Sequence, residues 1–111
     1  MATPDDELQA MLAELKQQFL QRAGEQAASI VAACASLDPA LPCGDQPAAT
    51  ELIRFWHRIA GSAGSFGLDD LSVSARAHER WLEADVTDAG ILPAERADRI
   101  SAMSALAARL G

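Results

Sequence analysis

The sequence predicts an all-α protein, an antiparallel up-down-up-down four-helix bundle, on three observations. Half of the 111 positions are apolar, yet only 5% are aromatic and tyrosine is absent. Alanine and leucine carry that apolar content, and the scarcity of β-branched and aromatic residues favours helix over sheet. Apolar residues also recur every three or four positions along four stretches, while strand alternation of useful length is missing. Finally, the connections between these stretches are short and hold Pro, Gly and Asp, as between antiparallel neighbours in a bundle. The length fits a single domain spanning residues 1–111 around one simple core.

The first helix starts at Thr3-Pro4-Asp5-Asp6-Glu7. A capping hydroxyl precedes proline at the first helical position, and acids follow at the positive end of the helix dipole. Leu8, Met11, Leu12, Leu15 and Phe19 form its apolar stripe, renewed by Ala27, Ile30, Val31 and Cys34. Gly24 lies between the two runs and is expected to kink the helix or split it in two. The segment "SLDPALPCGDQPA" is a connection. A second helix is predicted from about Pro47 to about Ser65, broken by Gly67. A third runs from Asp69-Asp70 to about Ala84. "DVTDAGILP" is the next connection, and Pro93 opens a last helix with Ile100, Met103, Ala107 and Leu110 on one face.

Charge and motifs narrow the function. The formal net charge is −7, which repels phosphate backbones and anionic lipids and argues against nucleic-acid or membrane-surface binding. The start "MATPDDE" lacks the basic-then-apolar layout of a signal peptide, and its clean helix cap favours a free-standing protein. No run approaches the roughly 20 apolar residues that span a bilayer. A cytoplasmic location is therefore expected. Cys34 and Cys43 lack metal-site or disulfide-framework spacing, so a buried Cys34 and a loop Cys43, both reduced, are expected. There is no P-loop and no HExxH pairing, hence no expected ATP site or metal site.

The stretch "WHRIAGSAGSFGLDDL" raises a sharper question. At about 100° per residue, Leu52, Phe55, Ile59, Ala63 and Phe66 share one arc, with Trp56 at its edge. His57 projects roughly opposite, toward solvent, in the company of Ile53, Ala60, Gly61 and Gly64. Each interior glycine costs a helix about 1 kcal/mol relative to alanine. Gly64 and Gly67 admit close packing of a neighbouring helix as an explanation. Gly61 lies one turn from His57 on the same side, where a side chain would crowd the imidazole. The small residues are thus read as clearing a docking surface around an exposed nucleophile, with Ile53, Ala60 and Gly64 forming its mildly apolar floor.

On these residues the chain closely resembles the histidine-containing phosphotransfer (HPt) domains of bacterial phosphorelays. The carrying stretch is "HRIAGSAGSFGLDDLSVSARAHERWLE", which matches the family pattern at His57, Ile59, Gly61, Ser62, Ala63, Phe66, Gly67 and Leu71. "LKQQFLQRAGEQAASIVAACASLD" looks like the family's opening helices. One departure stands out: the lysine usual three residues after the histidine is Ala60 here. Arg54 and Arg58 flank His57 on the wheel and are candidates to supply the missing positive charge. The family often places an amide or acid 22 residues after the histidine, hydrogen-bonded to the ring; that position is Glu79. Such a carboxylate would fix the tautomer and leave Nε2 free to attack. His78, near the stripe of Leu71, Ala75 and Leu82, reads instead as a packing residue.

The resemblance implies a phosphocarrier, not a turnover enzyme. His57 would take a phosphoryl group from a receiver-domain aspartate and pass it to another. The partners would be receiver domains of response regulators or of a hybrid histidine kinase. They would supply Mg²⁺, the chain itself needing no cofactor and acting as a monomer. Two rival readings remain. One is an HPt-like docking module that binds a receiver or kinase without carrying phosphate. The other is a small enzyme or metal site built from His57, His78 and Glu79.

Overall fold

The computed structural model describes residues 2–111. Its elements are α1 (Pro4–Ala35), α2 (Ala49–Ser65), α3 (Asp69–Ala84) and α4 (Pro93–Leu110), with one 3₁₀ turn at Cys43–Asp45; the described residues hold no strand. The four-helix class and most boundaries agree with the reading from sequence. The helices run antiparallel in chain order. Ser29 Oγ of α1 donates to Glu51 at the start of α2 (2.8 Å), while Phe19 stacks on Phe66 just past its end (5.7 Å). Arg96 in the first turn of α4 reaches the Pro39 carbonyl beyond the end of α1, and Leu110 returns to Gly24.

Local chemistry accounts for the ends. Thr3 Oγ1 accepts from the Asp6 N–H and the Asp6 carboxylate accepts from the Thr3 N–H, both at 3.2 Å. This reciprocal cap satisfies two orphan donors at the start of α1. α2 ends in a left-handed Gly67 (φ +73°), with Leu68 N–H donating to Ala63 (2.9 Å) and Gly67 N–H to Gly64 (3.3 Å). That pair of hydrogen bonds is the Schellman arrangement, and its αL position suits glycine. It turns the chain back at once, so α3 packs along α2.

Two expectations about α1 are corrected. The helix passes through Gly24 without a break. Glycine is required there for a different reason: a Cβ would lie 2.7 Å from the Leu110 carbonyl oxygen, so the missing side chain admits the end of α4. The proposed stripe is also not core along its first half. Leu8, Met11, Leu12 and Leu15 are all exposed, because α4 stops opposite Gly24 and α2 stops opposite Phe19. A 32-residue helix is about 48 Å long at 1.5 Å per residue. Its first turns therefore overhang the other three helices, and the whole molecule is elongated, measuring 61 × 22 × 19 Å.

The core lies further along, where Ile30 and Cys34 meet Leu52, Phe55, Trp56 and Ile59 of α2, Leu82 of α3, and Met103 and Ala107 of α4. Ala75 and Ala107 within it are fully buried. At the end away from the overhang, Asp85 is fully buried and takes Arg96 Nε (2.9 Å), Arg96 Nη2 (3.0 Å) and the Cys43 N–H (2.8 Å). A buried charge is tolerated only when paired in this way. Cys43 lies in the 3₁₀ turn rather than an open loop, and both cysteines are free and buried. Burial pushes each thiol up to about 11, which keeps it protonated at neutral pH.

Candidate functional site

His57 stands at the middle of α2 with its side chain 72% exposed. α2 packs against α3 on one flank and α1 on the other, so its buried arc is wider than its apolar stripe. Trp56 and Ala60 are consequently buried and Ile53 half-buried. The expectation that Ala60 forms part of an exposed docking floor is corrected: it is 1% exposed, and its carbonyl accepts from Ser72 Oγ of α3 (2.7 Å). The open strip narrows to Arg54, His57, Arg58, Gly61, Gly64 and Ser65. His57 lies on the α3 side of that strip.

This placement lets α3 hold the ring. Glu79 reaches across the interface, and His57 Nδ1 lies 2.9 Å from Oε1 and 3.0 Å from Oε2. A carboxylate is an acceptor only, so the proton of this bond belongs to Nδ1. In the neutral ring that leaves the Nε2 lone pair unprotonated. Glu79 is itself nearly buried, with 10% of its side chain exposed, whereas the imidazole faces solvent. One partner is anchored and the other presented.

The second side of the ring opens on a groove of about 590 Å³ between α1 and α2. From α2 it is lined by His57, Arg58, Gly61 and Ser65, and from α1 by Leu15, Phe19, Arg22 and Gln26. A Cβ built on Gly61 would meet nothing within 4 Å. Packing does not demand this glycine, unlike Gly24. At Gly64 a Cβ would make ordinary contact with Ser72 Oγ at 3.4 Å, so packing does not demand that glycine either. Among the described residues Arg22, Arg54 and Arg58 make no ion pair. Arg58 enters the groove, while Arg54 lies a turn away, its carbonyl accepting from Arg58 Nε (3.4 Å).

The structure thus brings together His57, Glu79, Arg58 and Gly61, with Arg54 and Gly64 on the open strip. Sequence reading missed the α1 wall, above all Arg22. The spacing of Phe19, Arg22 and Gln26 marks them as one face of a helix. Nothing in the sequence shows how α1 is staggered against α2, and that stagger decides which residues meet His57.

His78, one residue from Glu79, points about 100° around α3. It is buried against Trp56 (ring centroids 5.1 Å apart), and burial, with Arg99 nearby, lowers its pKa to about 4. His78 Nδ1 and Trp56 Nε1 are buried without hydrogen-bond partners. Among the described residues no three His, Cys, Asp or Glu side chains converge to hold a metal. His57, His78 and Glu79 therefore do not form one cluster.

The Hpt domain family model matches residues 6–110, and the chain belongs to that family. No curated protein and no solved structure matches it. No helix of the described residues is long and apolar enough to cross a membrane.

Proposed function

We propose that His57 carries a phosphoryl group between receiver-domain aspartates in a cytoplasmic phosphorelay. One observation carries the reading: an exposed imidazole whose Nδ1 is held by a nearly buried carboxylate, in a chain of the Hpt family. The Nε2 lone pair attacks the phosphorus of a receiver's aspartyl phosphate. The N–P bond forms as the P–O bond to the aspartate breaks, and the receiver leaves with a free carboxylate. Positive charge grows on the ring during attack, and Glu79 stabilises it through the Nδ1 proton without having to accept that proton. The reverse sequence delivers the group to a second receiver.

Phosphoryl transfer depends mainly on in-line positioning and charge neutralisation. Arg58 and Arg22 line the groove beside the ring and supply positive charge that Ala60 does not. The receiver supplies Mg²⁺, and the bare surface over Gly61 leaves room for its aspartyl loop. The partners are receiver domains of response regulators or of a hybrid kinase.

Incubating the chain, and its His57→Gln variant, with a panel of phosphorylated receivers tests this. The expected result is label on the wild type from at least one receiver and none on the variant. Receiver binding without label on either protein would instead establish a docking module.

A further inference from the structure

The groove beside His57 holds positive charge that nothing in the chain neutralises. Arg22 and Arg58 line it and no acid does, although the chain has 16 Asp and Glu against 9 Lys and Arg. Glu79 sits on the other flank of the ring, in α3. Among the described residues Arg22 makes neither a hydrogen bond nor an ion pair, and of the Arg58 guanidinium only Nε is engaged, by the Arg54 carbonyl. The α1–α2 ties at Ser29–Glu51 and Phe19–Phe66 bracket Arg22 and set it level with the turn of Gly61. That residue has no side chain, and a Cβ there would meet nothing within 4 Å. The space between Arg22 and the imidazole is therefore open.

We propose that this groove binds the phosphoryl group of a small acyl phosphate, from which His57 is charged without a receiver domain. The proposal rests on the phosphotransfer reading and widens its substrate class. A receiver's aspartyl phosphate is itself an acyl phosphate, so the bond to be broken is the same. What a receiver adds is Mg²⁺ and positioning. Here guanidinium groups from two helices meet the anion instead. The groove, about 590 Å³, has the size of a small-molecule site, roughly 300–1,000 Å³.

Nε2 attacks phosphorus, the N–P bond forms, and the P–O bond to the acyl oxygen breaks. The electron pair leaves on a free carboxylate. The Nδ1 proton stays toward Glu79, so no proton has to move. The same step sets selectivity. A carboxylate departs unprotonated at neutral pH, whereas the alkoxide of a phosphate monoester needs a proton donor. Apart from His57, whose Nδ1 proton Glu79 holds, no side chain lining the groove gives up a proton near neutral pH. Acyl phosphates are therefore donors and monoesters are not.

Incubating the full chain with acetyl phosphate in EDTA, where no Mg²⁺-dependent protein can mediate, tests this. Phosphate is followed as an acid-labile, base-stable label. The wild type is expected to be labelled and His57→Gln not. Arg22→Gln should need several-fold more acetyl phosphate for half-maximal rate at unchanged helicity, with Arg22→Lys between the two. Glycerol phosphate should give no label. Phosphorylated receivers with Mg²⁺, run in parallel, separate this proposal from the reading beneath it. Label from a receiver and none from acetyl phosphate would overturn the groove proposal alone, and label from neither would overturn phosphotransfer with it. Equal acetyl phosphate dependence in wild type and Arg22→Gln would remove the groove as the binding site. Label from glycerol phosphate would overturn the selectivity.

Discussion

His57 on α2 and Glu79 on α3 are joined through Nδ1 at 2.9 and 3.0 Å, the acid nearly buried and the imidazole open to solvent. The bond orients the ring, selects its tautomer and stabilises charge on it during attack. Glu79→Ala should slow transfer roughly 10- to 100-fold, less than removal of a fully enclosed orienting acid because water can reach this ring. Glu79→Gln keeps an acceptor oxygen and should lose less. Single-turnover rates from a phosphorylated receiver measure both, and equal rates for wild type and Glu79→Ala would leave the bond without a catalytic role.

Gly61 separates access from stability. A Cβ there meets nothing, so Gly61→Ala should stabilise α2 by up to about 1 kcal/mol. Gly61→Leu should keep that helicity yet slow transfer, because its side chain lies over the imidazole. Thermal melts and transfer rates on the two variants check this. Unimpaired transfer in Gly61→Leu would mean that the receiver does not approach over this turn.

Gly44 gives the contrasting case. A Cβ there would overlap the Leu82 carbonyl oxygen and lie 2.8 Å from that of Asp85, whose oxygen also accepts the Gly44 N–H. Both obstacles are backbone. Gly44→Ala should therefore destabilise the fold by about 1–3 kcal/mol, read as a lowered urea midpoint.

His78 makes stability pH-dependent. Its folded pKa is lowered to about 4 from 6.5. Between those values the unfolded chain binds the proton and the folded chain does not, so protonation favours unfolding. The contribution is complete above about pH 6.5 and is lost as pH falls toward 4, at most about 3 kcal/mol in all, less any screening by solvent. Urea unfolding of wild type and His78→Leu across this range should show the smaller pH slope in the variant. Parallel slopes would contradict the assignment.

Much of this architecture was legible because its signals are local. Thr3-Pro4 and Pro93 mark helix starts by their chemistry, and Gly67 marks an end because only its left-handed turn completes the Schellman bonds. His57 could be placed outside because period alone puts it opposite Leu52 and Ile59. What escaped depends on stagger between helices. Gly24 looks like a helix breaker until Leu110 is found against it, and Leu8 to Leu15 look like core until α2 and α4 are seen to stop short. Ala60 fails for the same reason: its burial comes from α3 packing along the flank, and an alanine carries no signal of which flank that is. Arg22 was invisible beside His57 because thirty-four residues of helix and connection lie between them in the chain.

The most direct measurement locates the phosphoryl group itself, by ¹⁵N–³¹P NMR on the protein charged by a phosphorylated receiver. A P–N bond at Nε2 of His57 is expected, with Nδ1 still bearing its proton toward Glu79. Phosphate at Nδ1, on His78, or on an oxygen of any side chain would contradict it.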